Sequence, residues 1–261
     1  MKSLFPALLS LASLPALAAA PSPLNGTWVW DAGATKLPDR PDVYVLDKGH
    51  YTCKSCVPEV SAAADGLDHP MAGHPYADTI ALTIANPHVV KVAYKKGGKI
   101  TGLETLTVSE DGKSLMDAYE DHTESSPISS TVRAERTAPA ATGAHALSGS
   151  WRETKIEAVS DNGSTVTIAV TADGISSKDM NGVGYDAKFD GKDYPVAGDI
   201  AHTMVSVKRL GDNGYEETDK RDGKVESVFR MTVSADGKSA QYTAEDKRHG
   251  TTASGMLHKK M

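Results

Sequence analysis

The stretch LNGTW at residues 24–28 returns as LSGSW at residues 147–151, and this recurrence decides the architecture. Later in each half, VSEDGKS at 108–114 returns as VSADGKS at 233–239. The two offsets are 123 and 125 positions. Solenoid units recur every 20 to 50 residues or so, whereas an offset of this size is the length of a small domain. The sequence therefore predicts two tandem copies of one domain.

Outward from these motifs, both halves alternate apolar with small or polar residues, as a strand with one buried face does. The clearest runs centre on Ile80, Leu82 and Ile84 in the first half and on Val166, Ile168 and Val170 in the second. Asp-Gly or Gly-Gly pairs, which favour tight hairpin turns, separate such runs at 65–66, 97–98, 111–112, 173–174, 190–191, 222–223 and 236–237. The pattern predicts antiparallel β-structure without long helices.

The repeat also predicts domain limits. The first unit is expected at 22–137 and the second at 147–261, each in the size range of a small domain. Residues 138–146 between them are rich in small residues, contain a proline and lack periodicity, so they are interpreted as a linker.

The chain begins as exported proteins do. Lys2 precedes an apolar stretch at 4–17 that is too short to span a bilayer easily, and Ala16-Leu17-Ala18 is a small-residue cleavage site. Residues 1–18 are predicted to be a signal peptide cleaved after Ala18, with an uncleaved membrane helix as the alternative. The mature protein is expected to be periplasmic or secreted, with no transmembrane segment. The net charge of the full chain is −6, with acidic and basic residues interspersed, which argues against a nucleic-acid partner.

A family resemblance adds detail to this all-β pattern. The Leu-x-Gly-x-Trp openings resemble the first strand of lipocalins and related fatty-acid-binding barrels, and the whole chain is similar to tandem-repeat proteins exported by bacteria. The resemblance implies two tandem antiparallel up-and-down β-barrels of lipocalin-like type. It implies that Trp28 and Trp151 close the barrel ends beneath a basic residue, with Arg133 the candidate in the first unit and His258 opposite it in the second. A stacking platform for a ligand is the alternative role of the tryptophans.

Cys53 and Cys56 form the only local motif with chemical potential, and three interpretations stay open. A disulfide across a tight turn suits an exported protein. A redox-active pair normally lies at a helix N-terminus, but Pro58 follows almost at once and no helical pattern succeeds it. A metal site would combine the cysteines with His69 and His74, although the spacing matches no strong zinc signature.

A candidate functional rim follows the cysteines in the first unit. It consists of His69, His74, Tyr76 and Asp78, and the second unit has other residues where the two histidines stand. Drift after duplication is the alternative explanation of this difference. No nucleophile elbow, phosphate-binding loop, dinucleotide fingerprint or zinc-protease motif is present, so no catalytic residue is assigned.

These features favour a non-enzymatic exported protein that binds a small apolar or amphipathic ligand in a barrel, without a resident cofactor. Two alternatives remain. One is a metal- or thiol-based stress or redox protein that uses the cysteine pair and the nearby histidines. The other is an envelope module with a structural or interaction role.

Overall fold

The structure is a computed structural model that describes residues 21–260, and these form two antiparallel β-barrels. The predicted signal peptide, 1–18, lies outside the described residues. The strands of the N-terminal part are β1 Gly26–Trp30, β2 Asp42–Asp47, β3 His50–Cys53, β4 Val60–Ala63, β5 His69–Pro70, β6 Thr79–Asn86, β7 Val89–Lys96, β8 Lys99–Val108, β9 Ser114–Asp121, β10 Ile128–Ala138 and β11 Gly149–Val159. A 3₁₀ turn at Ala32–Ala34 follows β1.

A short helix, α1 Asp161–Ser164, leads into the C-terminal strands. These are β12 Thr165–Val170, β13 Gly174–Asp179, β14 Gly184–Lys188, β15 Tyr194–Pro195, β16 Met204–Arg209, β17 Gly214–Arg221, β18 Lys224–Val233, β19 Ser239–Asp246 and β20 Thr251–Lys259. Among residues 21–260, no helix has the length and apolar character needed to cross a membrane.

Each barrel is a ten-stranded antiparallel sheet whose neighbours mostly follow the chain. The sheet of barrel I has the order β4-β3-β2-β11-β10-β9-β8-β7-β6-β5. The sheet of barrel II has the order β14-β13-β12-β1-β20-β19-β18-β17-β16-β15. The prediction of two tandem up-and-down barrels is confirmed.

The barrels are displaced by one strand from the sequence repeats. Barrel I is built from the continuous segment 42–159, whereas barrel II takes β12–β20 together with β1 from the N-terminus. The units expected at 22–137 and 147–261 therefore each exchange their first strand. Because β1 and β11 carry the same Gly-x-Trp motif, the repeat alone does not distinguish which barrel receives which strand.

The segment 138–146 is part of barrel I rather than a linker between barrels. It joins β10 to the adjacent β11. Its backbone is held against the barrel, since the His145 amide donates to the Leu46 carbonyl at 3.0 Å. Leu147, directly after it, is fully buried.

Both barrels are nearly closed because their edge strands approach each other. In barrel I, Asp65 bridges to Thr83 of β6, and the Gly66 amide donates to the Leu82 carbonyl at 2.8 Å. In barrel II, Gly184 and Ala197 exchange two backbone hydrogen bonds of 3.1 and 2.7 Å. Closure satisfies the exposed edges that an open sheet would leave unpaired.

Trp28 and Trp151 are fully buried, and each donates its indole N–H to the backbone of its own opening motif. The acceptors are the carbonyls of Leu24 at 2.8 Å and Leu147 at 2.7 Å. A large aromatic side chain with a satisfied polar atom is well suited to filling a barrel end.

The basic partners of the tryptophans differ from the predicted ones. The Arg136 guanidinium lies 4.0 Å from the centre of the Trp151 ring, and the Lys259 ammonium lies 4.8 Å from that of Trp28. The predicted partners do not reach the indoles: Arg133 pairs with Glu157 at 2.8 Å and His258 with Asp31 at 3.2 Å. Two effects explain the error. Because β1 lies in barrel II and β11 in barrel I, each tryptophan takes its basic residue from the other sequence repeat. In addition, Arg133 and His258 each lie an odd number of positions from the inward basic residue of their own strand, Arg136 or Lys259, and therefore point outward.

Candidate functional site

Barrel I contains a cavity of about 300 Å³ that is open at one mouth and has both apolar and polar walls. The apolar and aromatic wall consists of Tyr51, Val60, Met71, Ala77, Ile80, Tyr94 and Tyr119. Two polar residues of β8, Thr101 and Glu104, interrupt it. This combination of an apolar wall with a few polar groups, and this size, are typical of small-molecule sites.

The mouth of the cavity is formed by three connections. Cys56 and Val57 come from the β3–β4 connection, and His74 from the β5–β6 connection. Arg248 and His249 belong to the β19–β20 turn of barrel II, which reaches across to barrel I. The Arg248 guanidinium donates a hydrogen bond to the Val57 carbonyl and so ties this turn to the mouth.

Two of the four predicted rim residues line the cavity. Burial and the charge of Arg248 lower the pKa of His74 below its usual value. Tyr76 stands between the barrels, lines the cavities of both, and lies under the Arg221 guanidinium at 5.3 Å from its ring centre.

The other two predicted rim residues serve local structure away from the cavity wall. The His69 ring contacts the Asp65 carboxylate at 2.8 Å, and the Asp78 carboxylate accepts a hydrogen bond from the Gly97 amide at 2.8 Å.

Cys53 and Cys56 form a disulfide, with their Cα atoms 5.4 Å apart. Neither sulfur is therefore available as a thiolate ligand or nucleophile in this structure. Across residues 21–260, no group of three or more histidine, cysteine or acidic side chains is arranged to hold a metal ion. The bridge fixes one edge of the mouth.

Thr101 reaches the cavity through a β-bulge. Tyr94 and Lys95 of β7 face Gly102 and Ile100 of β8, so Thr101 is the extra residue between them. A bulge re-aims a side chain out of the regular alternation. The side chain is only 6% exposed, and among the described residues its hydroxyl has no hydrogen-bond partner.

Barrel II has the same bulge, but there the side chain of the extra residue has a partner. Asp219 and Lys220 face Ser227 and Val225, which leaves Glu226 as the extra residue, 125 positions after Thr101. The Glu226 carboxylate pairs with the Arg221 guanidinium at 2.6 Å. The bulge residue of barrel II, Glu226, is thus paired with a side chain of its own barrel. The bulge residue of barrel I, Thr101, has no side-chain hydrogen-bond partner among residues 21–260.

Glu104 and Asp117 are a carboxyl pair in the interior of barrel I. The Tyr94 hydroxyl donates to Glu104 at 2.6 Å. Burial, followed by the charge of Glu104, raises the pKa of Asp117 to about 9, and burial also raises the pKa of Glu104. The pair therefore retains a proton at neutral pH.

Two further carboxyls, Asp42 and Glu153, lie on neighbouring strands of the same barrel. Burial raises the pKa of each above its usual range. Asp42 accepts a hydrogen bond from the Ser55 hydroxyl at 3.1 Å. Within residues 21–260, none of the four interior carboxyls forms an ion pair with a lysine or arginine, whereas many carboxyls outside the barrel do.

Barrel II opens into a larger cavity of about 570 Å³ that continues between the two barrels. Burial and the charge of Asp219 raise the pKa of Glu217 in its wall to about 8. The Tyr185 hydroxyl hydrogen-bonds Glu217, and Ser227 donates to Asp219 at 2.6 Å. Unlike barrel I, this interior also contains its own cation, Arg221.

Five polar residues of barrel I were not predicted from the sequence: Thr101, Glu104, Asp117, Asp42 and Glu153. A usable signal existed for Glu104 and Asp117, because each alternates in register with buried apolar residues of its strand, Leu106 and Leu115 respectively. A charged residue at an inward position of a strand indicates a buried polar site. For Thr101 no such signal existed, because a bulge breaks the alternation.

Comparison with known proteins does not extend these observations to a family: no family model matches the chain, and no curated protein matches it.

Proposed function

We propose that this is an exported, non-enzymatic binding protein that takes one small amphipathic molecule into barrel I. The single observation that carries the proposal is the cavity of about 300 Å³, whose aromatic and aliphatic wall is interrupted by Thr101 and Glu104. Eight- to ten-stranded barrels either fill with side chains or keep room for one small ligand. Barrel I has a cavity large enough for one small ligand.

The rest of the chain supports this proposal. The resemblance of the opening strands to lipocalins and fatty-acid-binding barrels points to a ligand held inside the barrel. The Cys53–Cys56 disulfide suits an oxidising compartment outside the cytoplasm. Trp28 and Trp151 are fully buried at the barrel ends, so the cavity wall is the surface that contacts the ligand.

The test is a cavity-filling substitution. Ala77 is buried in the wall of the barrel I cavity, so Ala77→Leu places three extra carbons where the ligand would lie. The probe is N-phenyl-1-naphthylamine, a small neutral dye that fluoresces in apolar sites. We expect the wild-type protein to bind the dye at one site and Ala77→Leu to lose at least about tenfold in affinity.

Val196→Phe is the matched control, because it adds similar bulk to the cavity of barrel II. It is expected to leave dye binding unchanged. Thermal unfolding of both variants shows that the barrels remain folded. Unchanged binding in Ala77→Leu, or loss of binding in Val196→Phe only, would overturn the assignment to barrel I.

A further inference from the structure

The interior of barrel I contains four carboxyl groups, none of which forms an ion pair with a lysine or arginine among residues 21–260, although the charges of Arg40 and His249 act on Asp42. Asp42, Glu104, Asp117 and Glu153 lie inside the barrel, and their hydrogen-bond donors in the described part of the chain are neutral groups such as Tyr94 and Ser55. Burying carboxyl groups without a cation is costly.

The basic groups near this cavity are on or beside the mouth segments, and one of them is Arg40, which donates to the carbonyls of Ser55 and His249 at 3.2 and 3.3 Å and whose charge acts on Asp42. His74 lies on the β5–β6 connection, and Arg248 and His249 lie on the turn from barrel II. Arg248 is engaged with the Val57 carbonyl. Lys96, the counterpart of Arg221 in the repeat, donates instead to the carbonyls of Pro75 and Ile200, at 2.5 and 3.1 Å.

The Thr101 hydroxyl is an independent sign of a missing partner. It is buried, lines the cavity, and finds no hydrogen-bond partner among residues 21–260. Native proteins pair nearly all buried polar groups, with protein, water or ligand. Its counterpart in barrel II, Glu226, shows the paired state of the same bulge.

We propose that the ligand of barrel I is an amine: its ammonium group binds Glu104 and Thr101, and its apolar or aromatic frame packs against Tyr51, Tyr94 and Tyr119. This inference rests on the proposed function and specifies its ligand. An ammonium supplies a charged partner for Glu104, which is the member of the four carboxyls that lines the cavity, and a donor for the Thr101 oxygen. The rings of Tyr94 and Tyr119 stand edge to face with their centres 6.3 Å apart, and aromatic rings attract a cationic amine.

The test uses three probes on one frame. 2-Phenylethylamine is cationic, 2-phenylethanol is neutral and phenylacetate is anionic at neutral pH. Isothermal titration calorimetry on the full mature chain is expected to rank them in that order, with the amine at least about tenfold tighter than the alcohol. Amide chemical shifts in β8 are expected to move and those in β18 to stay.

Two variants and one control locate the effect. Glu104→Gln keeps the shape but removes the charge, and is expected to abolish the preference for the amine over the alcohol. Thr101→Val removes only the hydroxyl and is expected to weaken amine binding by about three- to tenfold. Glu217→Gln, which changes the interior carboxyl of barrel II, is expected to bind the amine as the wild type does.

Each other outcome has a defined meaning. Equal binding of all three probes, blocked by Ala77→Leu, overturns the amine while the binding function stands. Loss of amine binding in Glu217→Gln rather than Glu104→Gln overturns the placement in barrel I. Failure of every probe in this series overturns the amine inference, and the dye experiment then decides the proposed function separately.

Discussion

The buried hydroxyl of Thr101 lowers the stability of the ligand-free protein, because it is desolvated without a partner among residues 21–260, and it is the acceptor that the proposed amine would bind. Its hydroxyl lacks a partner within the described chain, so replacing it with a methyl group removes a desolvated polar atom. In ligand-free protein, Thr101→Val is expected to leave the free energy of unfolding unchanged or raise it by about 1 kcal/mol. Urea denaturation followed by circular dichroism measures this.

Ser148 provides the opposite case for comparison. Its buried hydroxyl accepts from the Leu46 amide at 2.7 Å and donates to the Leu46 carbonyl at 3.1 Å. Ser148→Ala is therefore expected to cost about 1–3 kcal/mol. If Thr101→Val costs as much as Ser148→Ala, the Thr101 hydroxyl is paired and the argument from the bulge fails.

The proton held by Asp117 makes stability depend on pH. Its pKa of about 9 in the folded protein lies above its ordinary value of 3.8, so the folded chain keeps a proton that the unfolded chain has lost. The resulting stabilisation is fully present below about pH 4 and is lost as the pH rises toward 9, at up to about 1.4 kcal/mol per pH unit.

Asp117→Asn imitates the protonated carboxyl and is expected to flatten this decline. The variant should match the wild type near pH 4 and exceed its melting temperature at pH 8. Asp212→Asn changes an exposed carboxyl in a turn and should follow the wild-type profile. Parallel pH profiles for Asp117→Asn and the wild type would show that Asp117 is ionised in the folded protein.

At the scale of elements, β1 is the strand on which barrel II depends. It lies between β12 and β20, where Trp28 faces Val166 on one side and Lys259 on the other. Barrel I, by contrast, has all ten of its strands in 42–159. Removing residues 21–31 should therefore affect one barrel and spare the other.

Hydrogen exchange measured by NMR tests this asymmetry. After the removal, amides of β12 and β20 are expected to lose protection while those of β6–β11 keep it. A synthetic peptide of residues 22–31 added in excess should restore barrel II, because it supplies the missing strand and Trp28. Equal loss of protection in both barrels would contradict the strand assignment.

The strands were largely predictable from alternation, and their assignment to barrels was not. Inward residues such as Leu82 and Ile168 recur with period two, which is sufficient to predict a barrel. The choice between β1 and β11 depends on tertiary contacts, since β11 follows β10 directly and pairs with it over a long register. The inward direction of the Thr101 side chain was likewise not predictable, because it depends on a bulge that no local sequence pattern indicates.

At the scale of the whole molecule, each barrel contributes to the mouth of the other. Arg248 and His249 on a turn of barrel II line the cavity of barrel I. Thr123 and Glu124, on the corresponding turn of barrel I, line the cavity of barrel II, where Glu124 also accepts a hydrogen bond from Asn181 at 2.6 Å. Together with β1, these contacts join the duplicated halves into one unit.

The difference between the halves is therefore a difference between their interiors. Barrel II provides Arg221 for its own acidic bulge residue, Glu226. Among residues 21–260, barrel I leaves the Thr101 hydroxyl without a hydrogen-bond partner and its four interior carboxyls without an ion pair to lysine or arginine. Duplication accounts for the common barrel, and the unpaired interior of barrel I is where the proposed function resides.

Native mass spectrometry of the protein purified from the cells that produce it tests this central claim most directly. The wild type is expected to carry one small molecule in excess of the mass of the mature chain, released on denaturation and basic in character. Ala77→Leu, purified in parallel, is expected to show the bare mass. A bare wild type that also takes up no amine when the amine is added, or an equal excess mass on both proteins, would contradict a ligand site in barrel I.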